Sequence, residues 1–198
     1  MQLKTVIFMG RSGSGKGTQA KLLVDELVLK GVNVNDIMNV SSGELFRAFA
    51  KDGGYTQDKI RAVMAAGNRV PDFLAVRLWG NWLVQTYRPS LNIILDGTPR
   101  SHAEARMLEN ALVFYERNPI EIVNIKVSNE WSIERLSARK RLDDSSLDTI
   151  KHRLAFYEDD VLEAIDYYRG SPKVRFSEIN GEQTIEEVHK DVSKAVFG

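Results

Sequence analysis

The chain has 198 residues (22.4 kDa), the length of one domain with small appendages, enough to bury about 70% of its unfolded surface without a covalent staple. It contains no cysteine, which excludes a disulfide scaffold and a thiolate metal site and suits a reducing compartment. Hydrophobic residues (43%) and charged residues (27%) sit at globular values, and 27 Lys+Arg balance 27 Asp+Glu, so neither general disorder nor a broadly basic nucleic-acid-binding surface is expected.

A short apolar run at 5–9 predicts the first strand. It is too short for a secretory signal, and no run of about 18 apolar residues occurs anywhere, so no membrane partner is expected and the cytoplasm is the default location. A glycine-rich stretch follows, then a helix over 18–29 with Leu22, Leu23 and Leu27 at helical spacing. A second strand is predicted at 37–40. The stretch 41–71 is helical throughout and interrupts the alternation of strand and helix, so 41–70 reads as an insertion. Pro71 opens a helix over 71–87, on which Trp79 and Trp82 read as core.

A third strand (92–95) leads to a helix at 101–116, where Ser101-x-x-Glu104 reads as a capping box. A fourth strand (122–127) precedes a polar break at 138–145 between two helices, the second running over 146–168. A fifth strand (174–179) and a helix over 184–196, opened by the box Thr184-x-x-Glu187, complete the chain. Alternating strands and helices predict an α/β fold: a five-stranded parallel sheet covered on both faces, three layers in all. The core comprises 1–40, 71–135 and 147–198, with a short segment at 136–146 outside it. His102, His152 and His189 share no constellation and are expected at the surface.

The sharpest motif is Gly10-Arg11-Ser12-Gly13-Ser14-Gly15-Lys16-Gly17-Thr18, between a predicted strand and a predicted helix. That setting makes a phosphate loop: backbone N–H groups and the helix dipole face an anion, and the lysine reaches its outer oxygens. The general motif has Ser or Thr directly after the lysine. Here Gly17 intervenes before Thr18, and Gly-Lys-Gly-Thr-Gln resembles the loop of adenylate kinases and related nucleoside monophosphate kinases.

The resemblance continues in order along essentially the whole chain. Ser41-Ser42-Gly43-Glu44-Leu45-Phe46-Arg47 is similar to the family's Ser-Thr-Gly-Asp-Leu-Leu-Arg, and Gly67-Asn68-Arg69-Val70-Pro71 to Gly-x-x-Val-Pro. Leu95-Asp96-Gly97-Thr98-Pro99-Arg100 resembles Leu-Asp-Gly-Phe/Tyr-Pro-Arg. Arg135, Arg139 and Arg141-Leu142-Asp143-Asp144 resemble the lid, with Arg153 on the next helix and Ile179-Asn180-Gly181 near the end.

The resemblance implies a P-loop kinase that transfers the γ-phosphate of ATP to a monophosphate, with AMP the expected acceptor and Mg²⁺ accompanying the ATP; nothing in that mechanism requires more than a monomer, and without cysteine no thiolate zinc is expected in the lid. Gly10, Ser12, Gly13, Ser14, Gly15, Lys16, Gly17, Thr18, Arg135, Arg139 and Gly181 would bind ATP. Ser42, Gly43, Arg47, Val70, Gly97, Arg100, Glu104, Arg141 and Arg153 would bind the monophosphate. Lys16, Arg100, Arg139, Arg141 and Arg153 would be catalytic, and Thr18 and Asp96 would face the metal, through water. The physics agrees: phosphoryl transfer gathers about six negative charges in one cleft and asks the protein chiefly for positioning and cations.

Three positions depart from the pattern. Ser42 replaces a usual Thr, Thr98 an aromatic residue, and Glu104 the Gln whose amide pairs with adenine in the family. An ionised carboxylate accepts hydrogen bonds but donates none, so a base presenting donors, as in GMP or CMP, would suit it better. Equally, Glu104 could bond back to its helix cap. The lid is shorter than in short-lid relatives, so Arg135 and Arg139 compete for one role. Other readings open at this point are a non-catalytic nucleotide-binding protein of the same fold and an altered or broader base preference. A switch GTPase is disfavoured because no Asn-Lys-x-Asp occurs.

Overall fold

A computed structural model describes residues 2–139 and 146–198. Arg141, Asp143 and Asp144 therefore lie outside the described residues. Five parallel strands, β1 (Thr5–Met9), β2 (Ile37–Ser41), β3 (Asn92–Asp96), β4 (Ile120–Lys126) and β5 (Val174–Asn180), form one sheet in the order β2-β3-β1-β4-β5. Each strand lies within two residues of its expected position. The largest difference is at β4, which starts at Ile120 and so includes the buried polar Glu121, a residue that masks the apolar run in the sequence.

Alternate residues of the central strands face opposite sides. Ile7, Met9, Ile93, Leu95, Ile120 and Ile122 enter one core, and Val6, Phe8, Ile94, Val123 and Ile125 the other. The second core is closed by α1 (Lys16–Leu29) and α9 (Ile185–Phe197), through Leu23 and Leu27 against Val188, Val192 and Val196. The first is closed by α4 (Asp72–Thr86), α5 (His102–Phe114) and α8 (Leu162–Gly170). The helices α2 (Ser42–Phe49) and α3 (Tyr55–Ala65) contribute Phe46 and Ile60 to that same core, so the 41–70 stretch is packed onto it. Trp79 is buried as expected, and Trp82 is packed at the core's edge.

Between β4 and β5 the chain forms α6 (Asn129–Arg139) and α7 (Leu147–Phe156). These helices share a small separate cluster of Leu136, Ile150 and Leu154, with Ile133 against it. The helix expected over 146–168 is not continuous: a wider turn of π geometry at Tyr157–Val161 separates α7 from α8. There Arg11 ion-pairs with Glu158 and lies over the Tyr157 ring at 4.4 Å, while Arg69 Nε donates to Asp160 at 3.0 Å. Turns of this kind mark functional positions in helices.

The capping expectations divide. Thr184 and Glu187 form the full reciprocal box, and so do Ser146 and Thr149 at the start of α7, which the sequence reading did not foresee. At α5 only half forms. Ser101 Oγ accepts from the Glu104 N–H, but the Glu104 carboxylate turns elsewhere, so the expected box at 101–104 is corrected. Among the described residues no helix is long and apolar enough to cross a membrane.

Core packing makes a direct prediction. Leu23 is 0% exposed, whereas Leu29, six residues on, is 88% exposed. Leu23→Ala should lower unfolding free energy by about 2–5 kcal/mol, and Leu29→Ala by less than about 0.5 kcal/mol, in urea titrations.

Candidate functional site

The chain order reverses direction around β1: it goes out to β2, returns through β3, then passes to β4 and β5 on the other side. A crevice opens at the carboxyl ends of the strands at such a switch point, where ligands bind in open α/β sheets. Here it is a cleft of about 510 Å³.

The loop between β1 and α1 forms its floor. Gly10 has φ +131°, and a Cβ there would lie 2.3 Å from the Ile125 carbonyl oxygen, so only glycine lets β1 turn into the loop against β4. The departure at Gly17 also has a local cause. A Cβ at Gly17 would stand 3.1 Å from Asp96 Oδ2, so the glycine lets the end of β3 approach the first turn of α1.

Lys16 Nζ donates to the Gly10 and Arg11 carbonyls at 2.8 and 2.6 Å. Its pKa is pushed down to about 8, chiefly by burial. Asp96 opposes the shift, while Arg100, Arg153 and Arg139 add to it. A lysine so depressed is a cation waiting for a negative ligand.

The other cations arrive from separate elements. Arg47 (α2), Arg100 (after β3), Arg135 and Arg139 (α6) and Arg153 (α7) all line the cleft. Arg100 is held by two bonds: its Nε donates to the Gly97 carbonyl at 2.8 Å and its Nη2 to Ser42 Oγ at 3.2 Å. Ser42 Oγ in turn donates to the Gly97 carbonyl. Burial lowers the Arg100 pKa, and Arg153 lowers it further. Arg153 Nη2 donates to Ser12 Oγ at 3.2 Å, tying α7 to the loop.

The structure thus gathers Ser12, Gly13, Ser14, Gly15, Lys16, Gly17 and Thr18 with Gly43, Arg47, Asp96, Gly97, Arg100, Arg135, Arg139, Arg153 and Gly181 around one cleft. Arg135 and Arg139 both face it, so they need not compete for one place. Gly10, Ser42, Val70 and Glu104 are not on its surface. Ser42, Val70 and Glu104 are buried behind the wall (4%, 4% and 2% exposed).

The two alternatives for Glu104 meet a third arrangement. Glu104 Oε2 accepts from Thr98 Oγ1 at 3.1 Å, and Oε1 lies 3.7 Å from Arg69 Nη1. Two departures from the family pattern are therefore hydrogen-bonded to each other. Burial raises the Glu104 pKa, opposed first by the nearby Arg100 charge and then by the Thr98 bond.

Sequence reasoning missed Trp131, whose ring lies under the Arg135 guanidinium at 4.7 Å on the cleft wall. Its position one helical turn before Arg135 was the available signal. Arg69 was also missed as an individual residue; Asp72 lies three positions on, but its ion pair with Asp160 joins segments that no local pattern links. The histidines stay outside the cleft: His102 and His152 are exposed, and the half-buried His189 meets Gln19 and Glu26.

No group of three or more His, Cys, Asp or Glu among the described residues could hold a metal by itself. The oxygen donors beside the loop are the Asp96 carboxylate and the Thr18 hydroxyl, both on the cleft wall. This set suits a hard cation that keeps several waters and takes its other ligands from substrate phosphates, as Mg²⁺ does.

Comparison with known proteins adds the family. The signature of the family described as adenylate kinase matches residues 8–173. An adenylate kinase of Leptospira biflexa is 32% identical over 198 aligned positions, covering 98% of this chain and all of the relative. Adenylate kinase 1 of a Nostoc species is 34% identical, covering 98% of both chains. An adenylate kinase of Desulfitobacterium hafniense is 31% identical, covering 96% of both. With the phosphate loop, the parallel sheet and the cationic cleft already in place, the full-length match leaves one conclusion: the chain is a phosphotransferase and belongs to the adenylate kinase family.

Proposed function

We propose that this protein transfers the γ-phosphoryl group of ATP to AMP, giving two molecules of ADP, reversibly. The observation that carries the reading is the convergence of Lys16, Arg47, Arg100, Arg139 and Arg153, from five separate segments, on one cleft floored by the phosphate loop. The acceptor's phosphate oxygen is already ionised, so the reaction needs no protein nucleophile. It needs two phosphate groups held in line and their charge neutralised as the phosphoryl group passes.

In this reading the loop from Gly10 to Thr18 cradles the ATP phosphates, with Lys16 on the outer ones. Arg135, Arg139 and the Gly181 backbone hold the rest of the nucleotide. Arg47 and Arg100 grip the acceptor phosphate, with Gly43, Gly97 and the Ser42–Gly97 bond shaping its seat and Val70 backing it. Arg153 reaches both sides through its place beside Ser12, and Arg141 would join it. Residues 41–70 serve as the monophosphate-binding insertion and about 136–146 as a minimal lid that excludes water. Asp96 and Thr18 would hold Mg²⁺ through water, and the ion would offset the charge of the phosphates.

A second reading concerns the base. The Thr98–Glu104 hydrogen bond and the buried carboxylate favour an acceptor preference broader than AMP, with GMP, CMP and UMP as candidates. Steady-state kcat/KM for AMP, GMP, CMP, UMP and dAMP, measured by coupled ADP formation, decides between them. A preference for AMP above about a thousandfold, roughly 4 kcal/mol, overturns the broader reading.

The catalytic assignment has its own check. Lys16→Met should lower kcat by about a hundredfold or more, while circular dichroism and melting show a folded protein. An unchanged kcat in that variant would remove the mechanism.

A further inference from the structure

Arg69 lies at the end of the 41–70 stretch and is not among the residues that line the cleft. Its guanidinium meets three carboxylates from three elements. It pairs with Asp72 in the first turn of α4, donates through Nε to Asp160 in the wide turn before α8 (3.0 Å), and lies 3.7 Å from Glu104 on α5.

The three carboxylates are not equivalent. The Asp72 and Asp160 side chains are each 35% exposed and keep water if the arginine leaves, whereas the Glu104 side chain is 2% exposed. A charge that buried is costly without opposite charge beside it. Arg69 holds Asp72 and Asp160 more closely, but its pairing with Glu104 is the one that reaches a buried carboxylate.

Glu104 is also a counter-charge of Arg100: like Asp96 it favours the charged guanidinium, while Arg153 and Arg47 oppose it. The connection is mechanical as well. Glu104 holds Thr98, and the same Gly97–Arg100 turn carries the bonds that fix the Arg100 guanidinium to Ser42 and Gly97. Besides Arg69, Arg100 and Thr98, the groups acting on Glu104 are Asp72 and the buried Tyr168 phenol of α8, with Ser101 capping its backbone.

Resting on the assignment of Arg100 to the acceptor phosphate, we propose that Arg69 is a positioning residue for the acceptor site: it fixes the Glu104 carboxylate against Thr98 and so sets the counter-charge that Arg100 feels when it grips a monophosphate. None of the three carboxylates that Arg69 meets lines the cleft beside the phosphate loop. Arg69 thus tunes affinity for the acceptor and leaves the handling of ATP alone.

The sign of the pH effect follows from the chemistry. Without Arg69 the buried carboxyl holds its proton to higher pH. Once ionised, it opposes the incoming phosphate dianion through Arg100. In Arg69→Met the KM for the preferred monophosphate should therefore rise with pH across a transition displaced upward from that of the unmodified protein. Glu104→Gln removes this transition and leaves the titration of the substrate itself as the baseline.

The test is a cycle of Arg69→Met, Arg69→Lys, Glu104→Gln and the Met/Gln double variant, assayed from about pH 6 to about pH 9, with thermal melting alongside. Arg69→Met should change the monophosphate KM by about threefold or more, with kcat and the KM for ATP within about twofold. Arg69→Lys, which keeps the charge should the Met variant fold poorly, should retain most of the original pH profile. In the Glu104→Gln background the Arg69→Met effect should fall below about twofold. The proposal is overturned if that effect persists at full size in the Gln background, or if kcat and the ATP KM decline in step with the monophosphate KM. Arg100→Met separates the two levels. It should raise the monophosphate KM more than about tenfold, and if it does not, the assignment of Arg100 itself has failed.

Discussion

Like-charge repulsion is the constraint around which this structure is arranged. A cleft that is to receive two nucleotides must hold several cations close together, and at Lys16 the charges of Arg100, Arg153 and Arg139 add to the larger effect of burial in depressing its pKa. The fold manages this by distributing the load. The arginines come from four segments, with Arg135 and Arg139 sharing α6, and neutral oxygens anchor Arg100 (Gly97 and Ser42) and Arg153 (Ser12). Among the described residues, the acids at the cleft are Glu44 and Asp96 on its wall, with Glu104 behind it. A balanced total of 27 positive and 27 negative side chains conceals this segregation.

Much of the fold was legible because its signals are periodic. β-branched runs of about five residues marked buried parallel strands, and the loop glycines marked the turn where β1 meets α1. The wide turn at Tyr157–Val161 was illegible for a physical reason. Local spacing there is helical, and the extra residue is stabilised by Arg11 and Arg69, which lie far away in the chain. The half-formed box at α5 failed similarly. Ser101-x-x-Glu104 satisfies the local pattern, but Thr98 and Arg69 compete for the carboxylate and win it.

The candidate site divides along the same line. The cations and glycines that line the cleft were readable, since phosphate chemistry demands arginine, lysine and glycine at set spacings. Residues that act through others were not. Arg69 stands between Asn68 and Val70 with no local mark, and its Asp160 partner lies 91 positions away. Thr98 and Glu104 looked like two separate departures. Their hydrogen bond makes them one. Trp131 was hidden differently: an aromatic residue on a helix reads as core until the guanidinium above it is seen.

The small cluster that joins α6 to α7 has a consequence of its own. Leu136, Ile150 and Leu154 are buried together but belong to neither main core. Three such side chains contribute only a few kcal/mol in total, on the order of 2 kcal/mol each, against the ordering entropy of two helices. The pair of helices that carries Arg135, Arg139 and Arg153 should therefore open at a lower free-energy cost than the sheet beneath it. Its backbone amides should exchange with solvent long before those of β1, β3 and β4, so that thermal motion is concentrated in the segment bearing three of the cleft's cations while the sheet beneath it stays closed.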